Sequence, residues 1–124
     1  MSQGILMDIE QLVKKMKSIN DEKVKILIQF LAGFNRNEYI YPGALISKLD
    51  ITSEVAYKIL RELETNNYVS KSYEVYCKEC SIFKGTIYDF FADIPDEIYC
   101  PQCLKRLDPI NDTIVIYRIV TDLN

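Results

Sequence analysis

Apolar side chains recur at helical spacing through the first half of the chain and at strand-like spacing in three separate later or shorter runs. In ILMDIEQLVKKMKSI, the positions Ile5, Ile9, Leu12, Val13, Met16 and Ile19 follow three- and four-residue steps, with Lys14, Lys15 and Lys17 between them. That spacing predicts an amphipathic helix. Asn20 and Asp21 end it and cap a second helix, in which Val24, Leu27, Ile28 and Leu31 form a stripe widened by Phe30 and Phe34. NRN closes that segment, and EYIY reads as a short extended piece. Pro42 then opens PGALISKL, a brief helix with Leu45, Ile46 and Leu49 inward, because proline at a helix start needs no amide donor. Thr52 or Ser53 caps a fourth helix whose apolar face is Val55, Ala56, Ile59, Leu60 and Leu63, and Asn66 and Asn67 stop it. The alternating, tyrosine-rich YVSKSYEVY that follows has the period of a strand. TIVIYRIV near the C-terminus is β-branched and apolar on both faces, which predicts a strand buried on both sides.

Helix, short strand, short helix, capped helix and strand is the order of a winged helix-turn-helix. Over residues 21–76 the chain resembles the MarR/ArsR-type winged-helix superfamily, whose third helix begins with a capping Ser or Thr, carries an apolar pair and ends on leucine before a β wing. The resemblance rests on apolar spacing rather than on an invariant motif. It implies that the exposed face of the helix after Asp50 enters a DNA major groove. The positions it assigns there are Thr52, Ser53, Glu54, Tyr57, Lys58, Arg61 and Glu62. Lys58 and Arg61 suit phosphate or a guanine edge, whereas Glu62 and Glu64 repel the backbone nearby. The same helix also reads as the packed centre of a scaffold that touches no DNA.

Four cysteines, Cys77, Cys80, Cys100 and Cys103, supply the chemistry. They form two C-x2-C pairs, YCKEC and CPQC, with nineteen residues between the pairs. A two-residue spacer lets one tight backbone knuckle present two sulfurs, and two knuckles complete a tetrahedral four-thiolate site of the zinc-ribbon kind. With four protein ligands the ion has no open position, so Zn2+ here is expected to be structural. Iron in a rubredoxin-like site shares the C-x2-C and CP-x-C pattern, and thiol redox chemistry uses a single C-x-x-C. The symmetric pair favours zinc over both. Ribbons often carry Gly after the second cysteine of each knuckle, and here Ser81 and Leu104 stand in those places.

The chain has 124 residues and is 48% hydrophobic, enough for one compact domain or two very small ones. Asp8 and Glu10 interrupt the first apolar stretch, so no signal peptide is expected, no run reaches membrane-span length, and a cytoplasmic protein with reduced thiols follows. The formal net charge is −3, and four zinc-bound thiolates with one divalent ion lower it by two more. Residues 1–70 carry nine basic and nine acidic side chains, residues 71–124 six and nine. The cysteine-bearing half is therefore poorly suited to gripping phosphates. There is no histidine, which removes serine-histidine and cysteine-histidine catalytic pairs. The scattered glycines build no phosphate-cradling loop, and Asp93, Asp96 and Glu97 read as a solvated loop around Pro95. No enzyme is expected.

A winged helix needs two wing strands, and only YVSKSYEVY precedes the cysteines. The partner expected for it is residues 113–120, which places the zinc ribbon inside, or appended to, the wing. The fold class expected is thus α+β, a winged helix-turn-helix with a ribbon in its wing. Its parts are an N-terminal amphipathic helix (1–20), the winged helix (21–76), the ribbon (77–112) and a returning strand (113–124), the two modules forming one rigid body. Between the knuckles stand Phe83, Tyr88, Phe90, Phe91 and Tyr99. A ribbon stabilised chiefly by its metal cannot bury all of these rings, which are expected either on the winged helix or in a partner-binding patch. Stacking on single-stranded bases would draw on Lys78, Lys84, Lys105 and Arg106. The function expected is a non-catalytic adaptor or regulatory subunit of a larger protein complex, such as one acting on nucleic acid. The alternative is a DNA-binding transcriptional regulator, for which residues 5–19 offer a homodimer seam as against packing on the second helix.

Overall fold

The computed structural model describes residues 4–123, apart from the side chains of residues 84 and 85. Lys84, one of the cations considered for base stacking, therefore has its side chain outside the described residues. The fold is mixed α+β, with four α-helices and antiparallel sheets among the described residues. It divides into two compact units, one formed by Met1–Ser70 with Tyr117–Asn124 and the other by Lys71–Ile116.

The helical unit holds α1 (Ile5–Met16), α2 (Asp21–Ala32), β1 (Tyr39–Ile40), α3 (Pro42–Leu49) and α4 (Ser53–Thr65). α1 packs on α2 and α4, and α3 on α2 and α4. Each helix contributes the face its spacing predicts: Ile9 and Val13, then Val24, Leu27 and Leu31, then Leu45 and Leu49, then Ala56, Ile59, Leu60 and Leu63, all buried. Ile40 and Ile119 close the same unit, with β1 and the last strand paired antiparallel through Tyr39 with Arg118 and Ile40 with Tyr117.

The helix boundaries have local causes. α1 stops at Met16, three residues short of Ile19, because Lys17 adopts left-handed backbone at φ 57° and its N–H bonds the Lys14 carbonyl. Asn20 then starts α2, its side-chain oxygen accepting from the Lys23 N–H at 2.9 Å. Pro42 sits in the first turn of α3, as its missing N–H permits. Of the two candidate caps for α4 it is Thr52 that serves, its Oγ accepting from the Val55 N–H at 3.2 Å.

Two long strands, β2 (Val69–Cys77) and β6 (Thr113–Ile119), contribute residues to both units. The larger sheet has the order β1-β6-β2-β3, where β3 is Ile82–Tyr88, so residues 113–119 do lie beside residues 69–77. In the helical unit the Val120 N–H donates to the Tyr68 carbonyl at 3.1 Å, and in the second unit the Tyr76 N–H donates to Asp112 at 2.7 Å. In β6 only Ile116, Tyr117 and Ile119 are buried, while Thr113, Ile114, Val115 and Arg118 remain half-buried, so burial on both faces is confined to part of the strand. β3 (Ile82–Tyr88) was not anticipated. It returns antiparallel to β2 directly after the first cysteine pair, with an irregular register between Glu74 and Tyr76. A single 3₁₀ turn (Phe91–Asp93) and the two-residue strands β4 (Ile98–Tyr99) and β5 (Arg106–Leu107), paired with each other, complete the second unit. Its core is small: Val75, Cys77, Ile94, Ile98, Cys100 and Leu107 are buried, with Tyr73, Ile82 and Tyr88 packed against them. Among the described residues no helix is long and apolar enough to cross a membrane.

Candidate metal centre

Two backbone knuckles present the cysteines. Cys77 ends β2 and Cys80 lies in the tight turn that leads into β3. Cys100 follows β4, and Cys103 lies in the turn before β5. The second knuckle is closed by its own backbone, with the Leu104 N–H donating to the Cys100 carbonyl and the Cys100 N–H to Lys105, each at 2.9 Å. The Gln102 N–H points at the Cys100 Sγ at 3.4 Å, the kind of amide donor that a thiolate accepts.

All four sulfurs lie within 4.8 Å of one another. Cys77 to Cys103 and Cys80 to Cys100 are each 3.8 Å apart. A tetrahedron of thiolates with bonds of ~2.3 Å has edges of about 3.8 Å, so the spacing matches a metal ion and is far too long for disulfides. The cysteines are positioned to hold a metal ion, as their C-x2-C spacing predicts. Cys77 and Cys100 are buried, Cys80 is half-buried and Cys103 is exposed, so the centre has one face to solvent.

Crowding of thiols splits their proton affinities. Side-chain hydrogen bonding with Cys103, and then burial, pushes Cys80 up to about 12. The backbone N–H of Cys103 has the opposite effect on Cys100, which is brought down to about 7 despite the opposing effect of burial. Lys105 lies beside the centre on Glu79, with Nζ 3.5 Å from the carboxylate, and that contact raises its pKa.

Neither knuckle has glycine where zinc ribbons often carry it, and the backbone shows what the substitution entails. Ser81 has φ 55° and Leu104 φ 63°. Both knuckles thus adopt the left-handed turn that glycine would take without strain.

The other predicted site residues separate by unit. On α4, Ser53, Tyr57, Lys58 and Arg61 are exposed on the side opposite Ala56, Ile59, Leu60 and Leu63. Thr52 is exposed as well, but its hydroxyl is engaged in capping the helix. In the cysteine-bearing unit Phe90 is 68% exposed, Tyr99 47%, Phe91 43% and Phe83 38%, while Tyr88 is half-buried against the core. Phe83 lies against Tyr76 at 4.8 Å between ring centres, and Phe91 meets Tyr73 edge-on at 5.9 Å. Two further apolar side chains of this unit are exposed that the sequence did not mark for a partner surface, Leu104 at 74% and Ile110 at 76%. The spacing of Leu104 after Cys103 was the available signal for the first, and Ile110 in its turn carried none. Compared with known protein families, curated proteins and solved structures, the chain matches none.

Proposed function

We propose that the chain is a non-catalytic adaptor, a winged-helix module whose ribbon is held by structural zinc and docks onto a larger protein. The observation that carries this reading is the set of rings left in solvent in the cysteine-bearing unit, Phe90, Phe91 and Tyr99. Aromatic side chains are favoured at interface cores, and a metal-stabilised unit of this size gives them little to pack on. The order of α3, α4, β2 and β6 supports the winged-helix description. Four sulfurs at tetrahedral spacing support a closed site, in which zinc would fix the two knuckles together and leave no position for substrate.

The experiment combines metal analysis with co-isolation. The full chain is expected to carry one zinc, and a finding of iron would replace the structural-zinc assignment. From a nuclease-treated extract of its own cell, the zinc-loaded chain should retain a protein partner that Phe90→Ser and Phe91→Ser lose. Both positions are exposed, so the variants should fold. Absence of any protein partner, or equal retention by both variants, would overturn the adaptor.

A second reading is favoured by the outward face of α4, where Tyr57, Lys58 and Arg61 are accessible together. Under it the chain is a DNA-binding regulator, and homodimerisation through α1 would accompany it. Ile9 and Val13 are already buried within the chain, which leaves the remaining surface of α1 for such a seam. A duplex should then bind with strong salt dependence, and Arg61→Ala should weaken it by roughly 1–3 kcal/mol. No binding at low salt removes this reading.

A further inference from the structure

The loop of residues 89–99 combines three features: it is anchored, its rings face outward, and its charge is of one sign. Ile94 and Ile98 are 6% and 3% exposed in the core of the cysteine-bearing unit and hold the loop at two points. The 3₁₀ turn between them and Phe90 is closed by the Asp93 N–H on the Phe90 carbonyl at 3.0 Å and the Ile94 N–H on Phe91 at 3.1 Å. The edge contact of Phe91 with Tyr73 fixes it further. Phe90, Phe91 and Tyr99 are therefore held outward on an ordered backbone. Presenting rings this way lowers the conformational penalty of binding.

Asp89, Asp93, Asp96 and Glu97 are exposed in the same loop. Between Gly85 and Leu104 the sequence has no lysine or arginine at all. Arg106 reaches toward the loop, but its guanidinium donates to the backbone carbonyl of Asp96 at 3.4 Å rather than to a carboxylate. A surface of this sign repels phosphate, which sets nucleic acid and anionic lipid against it. It attracts cations.

Resting on the adaptor reading, we propose that this loop docks a basic, apolar segment of the partner protein. The rings enter an apolar cleft, and the four carboxylates meet lysine or arginine at its rim. Charge complementarity selects the partner and the rings hold it.

The test uses the zinc-loaded full chain and two synthetic amphipathic helical peptides of equal leucine content, one Leu/Lys and one Leu/Glu. Each carries a single tryptophan, which reports binding selectively because the chain has none. At low salt the Leu/Lys peptide should bind at least ~10-fold more tightly than the Leu/Glu peptide, with the preference shrinking as salt is added. Asp93→Asn combined with Asp96→Asn and Glu97→Gln should remove the preference, and Phe90→Ser should weaken the Leu/Lys peptide by ~10-fold. Equal affinity for the two peptides, or a preference that survives the neutralised loop, overturns the proposal. So does competition by single-stranded DNA or by phosphatidylserine vesicles that depends on Phe90. If the peptides fail to discriminate while Phe90→Ser still loses the cellular partner, the adaptor stands and the basic partner falls. If Phe90→Ser changes neither assay, both fall together.

Discussion

Ser81 and Leu104 occupy the same step of the two knuckles, each directly after the second cysteine, and both have left-handed backbone, at φ 55° and 63°. An L-residue in that region crowds its Cβ against the neighbouring carbonyl, a strain of roughly 1–2 kcal/mol. Glycine removes the crowding but gains freedom in the unfolded chain, which offsets part of the benefit. Leu104 is 74% exposed, so little burial is lost with its side chain. Leu104→Gly is therefore expected to stabilise the zinc-loaded chain by about 1 kcal/mol, and Leu104→Val to destabilise it, since branching at Cβ worsens the same clash. Thermal melting of both variants checks the signs. A destabilised Leu104→Gly would show that the leucine side chain matters more than its backbone.

Loss of one sulfur should undo the whole centre. Cys77 is buried at the end of β2, and Cys103 is exposed in the second knuckle, 3.8 Å from it. A structural zinc contributes on the order of 10 kcal/mol or more in small metal-dependent folds, comparable to the whole of what burial of Val75, Ile94, Ile98 and Leu107 supplies at about 1.5–3 kcal/mol each. Cys77→Ser and Cys103→Ser are each expected to lower the zinc content and to melt the cysteine-bearing unit, as chelation of the wild type should. The exposure of Cys103 makes its variant the cleaner one, because little packing is removed. Retention of stoichiometric zinc by either variant would show that three thiolates suffice.

Adjacent hydroxyl residues at the start of α4 should behave differently. Thr52 accepts from the Val55 N–H through its side chain, and Ser53 is the first helical residue. Thr52→Ala is expected to destabilise by about 1 kcal/mol, as loss of an N-cap does, while Ser53→Ala should stay within about 0.5 kcal/mol of wild type. Chemical denaturation measures both. Equal effects would mean that the cap is shared or that the residue serves another contact.

The helical unit was legible because its signals were redundant. Asn20 and Thr52 cap where their side chains predict, and periodicity alone identified Ile9, Val13, Leu27, Ile59 and Leu63 as buried. The clustering of the four cysteines was equally legible, since the spacer of a C-x2-C pair fixes how far apart two sulfurs can be. β3 was obscured by its own composition. Ile82, Phe83 and Ile87 favour a strand, but Gly85 and the irregular register opposite Glu74 and Tyr76 break the two-residue alternation that reveals one. The half-exposure of Thr113, Ile114 and Val115 was hidden for a different reason. A continuous β-branched run specifies a strand, but how much of it is covered depends on elements distant in sequence, here the small cluster of Val75, Cys77, Ile94, Ile98, Cys100 and Leu107.

Proton release offers a test of the thiol cluster that is independent of stability. Metal binds thiolate, so every cysteine that arrives protonated gives up its proton on loading, and affinity rises with pH by the number released. Cys100 is brought from the ordinary value of 9.0 down to about 7 by the Cys103 and Gln102 amides, whereas Cys80 is pushed up to about 12. At about pH 6 both still carry their protons in the metal-free chain, and zinc displaces both. At about pH 8 Cys100 is already ionised and only the Cys80 proton of this pair remains to be displaced. The protons released per zinc should therefore fall by close to one between about pH 6 and about pH 8, with affinity rising more gently above pH 7 than below it. Calorimetric titration of the metal-free chain in two buffers of different ionisation enthalpy counts these protons directly. A count that stays constant across the window would mean that the amides around Cys100 do not hold its thiolate before the metal arrives.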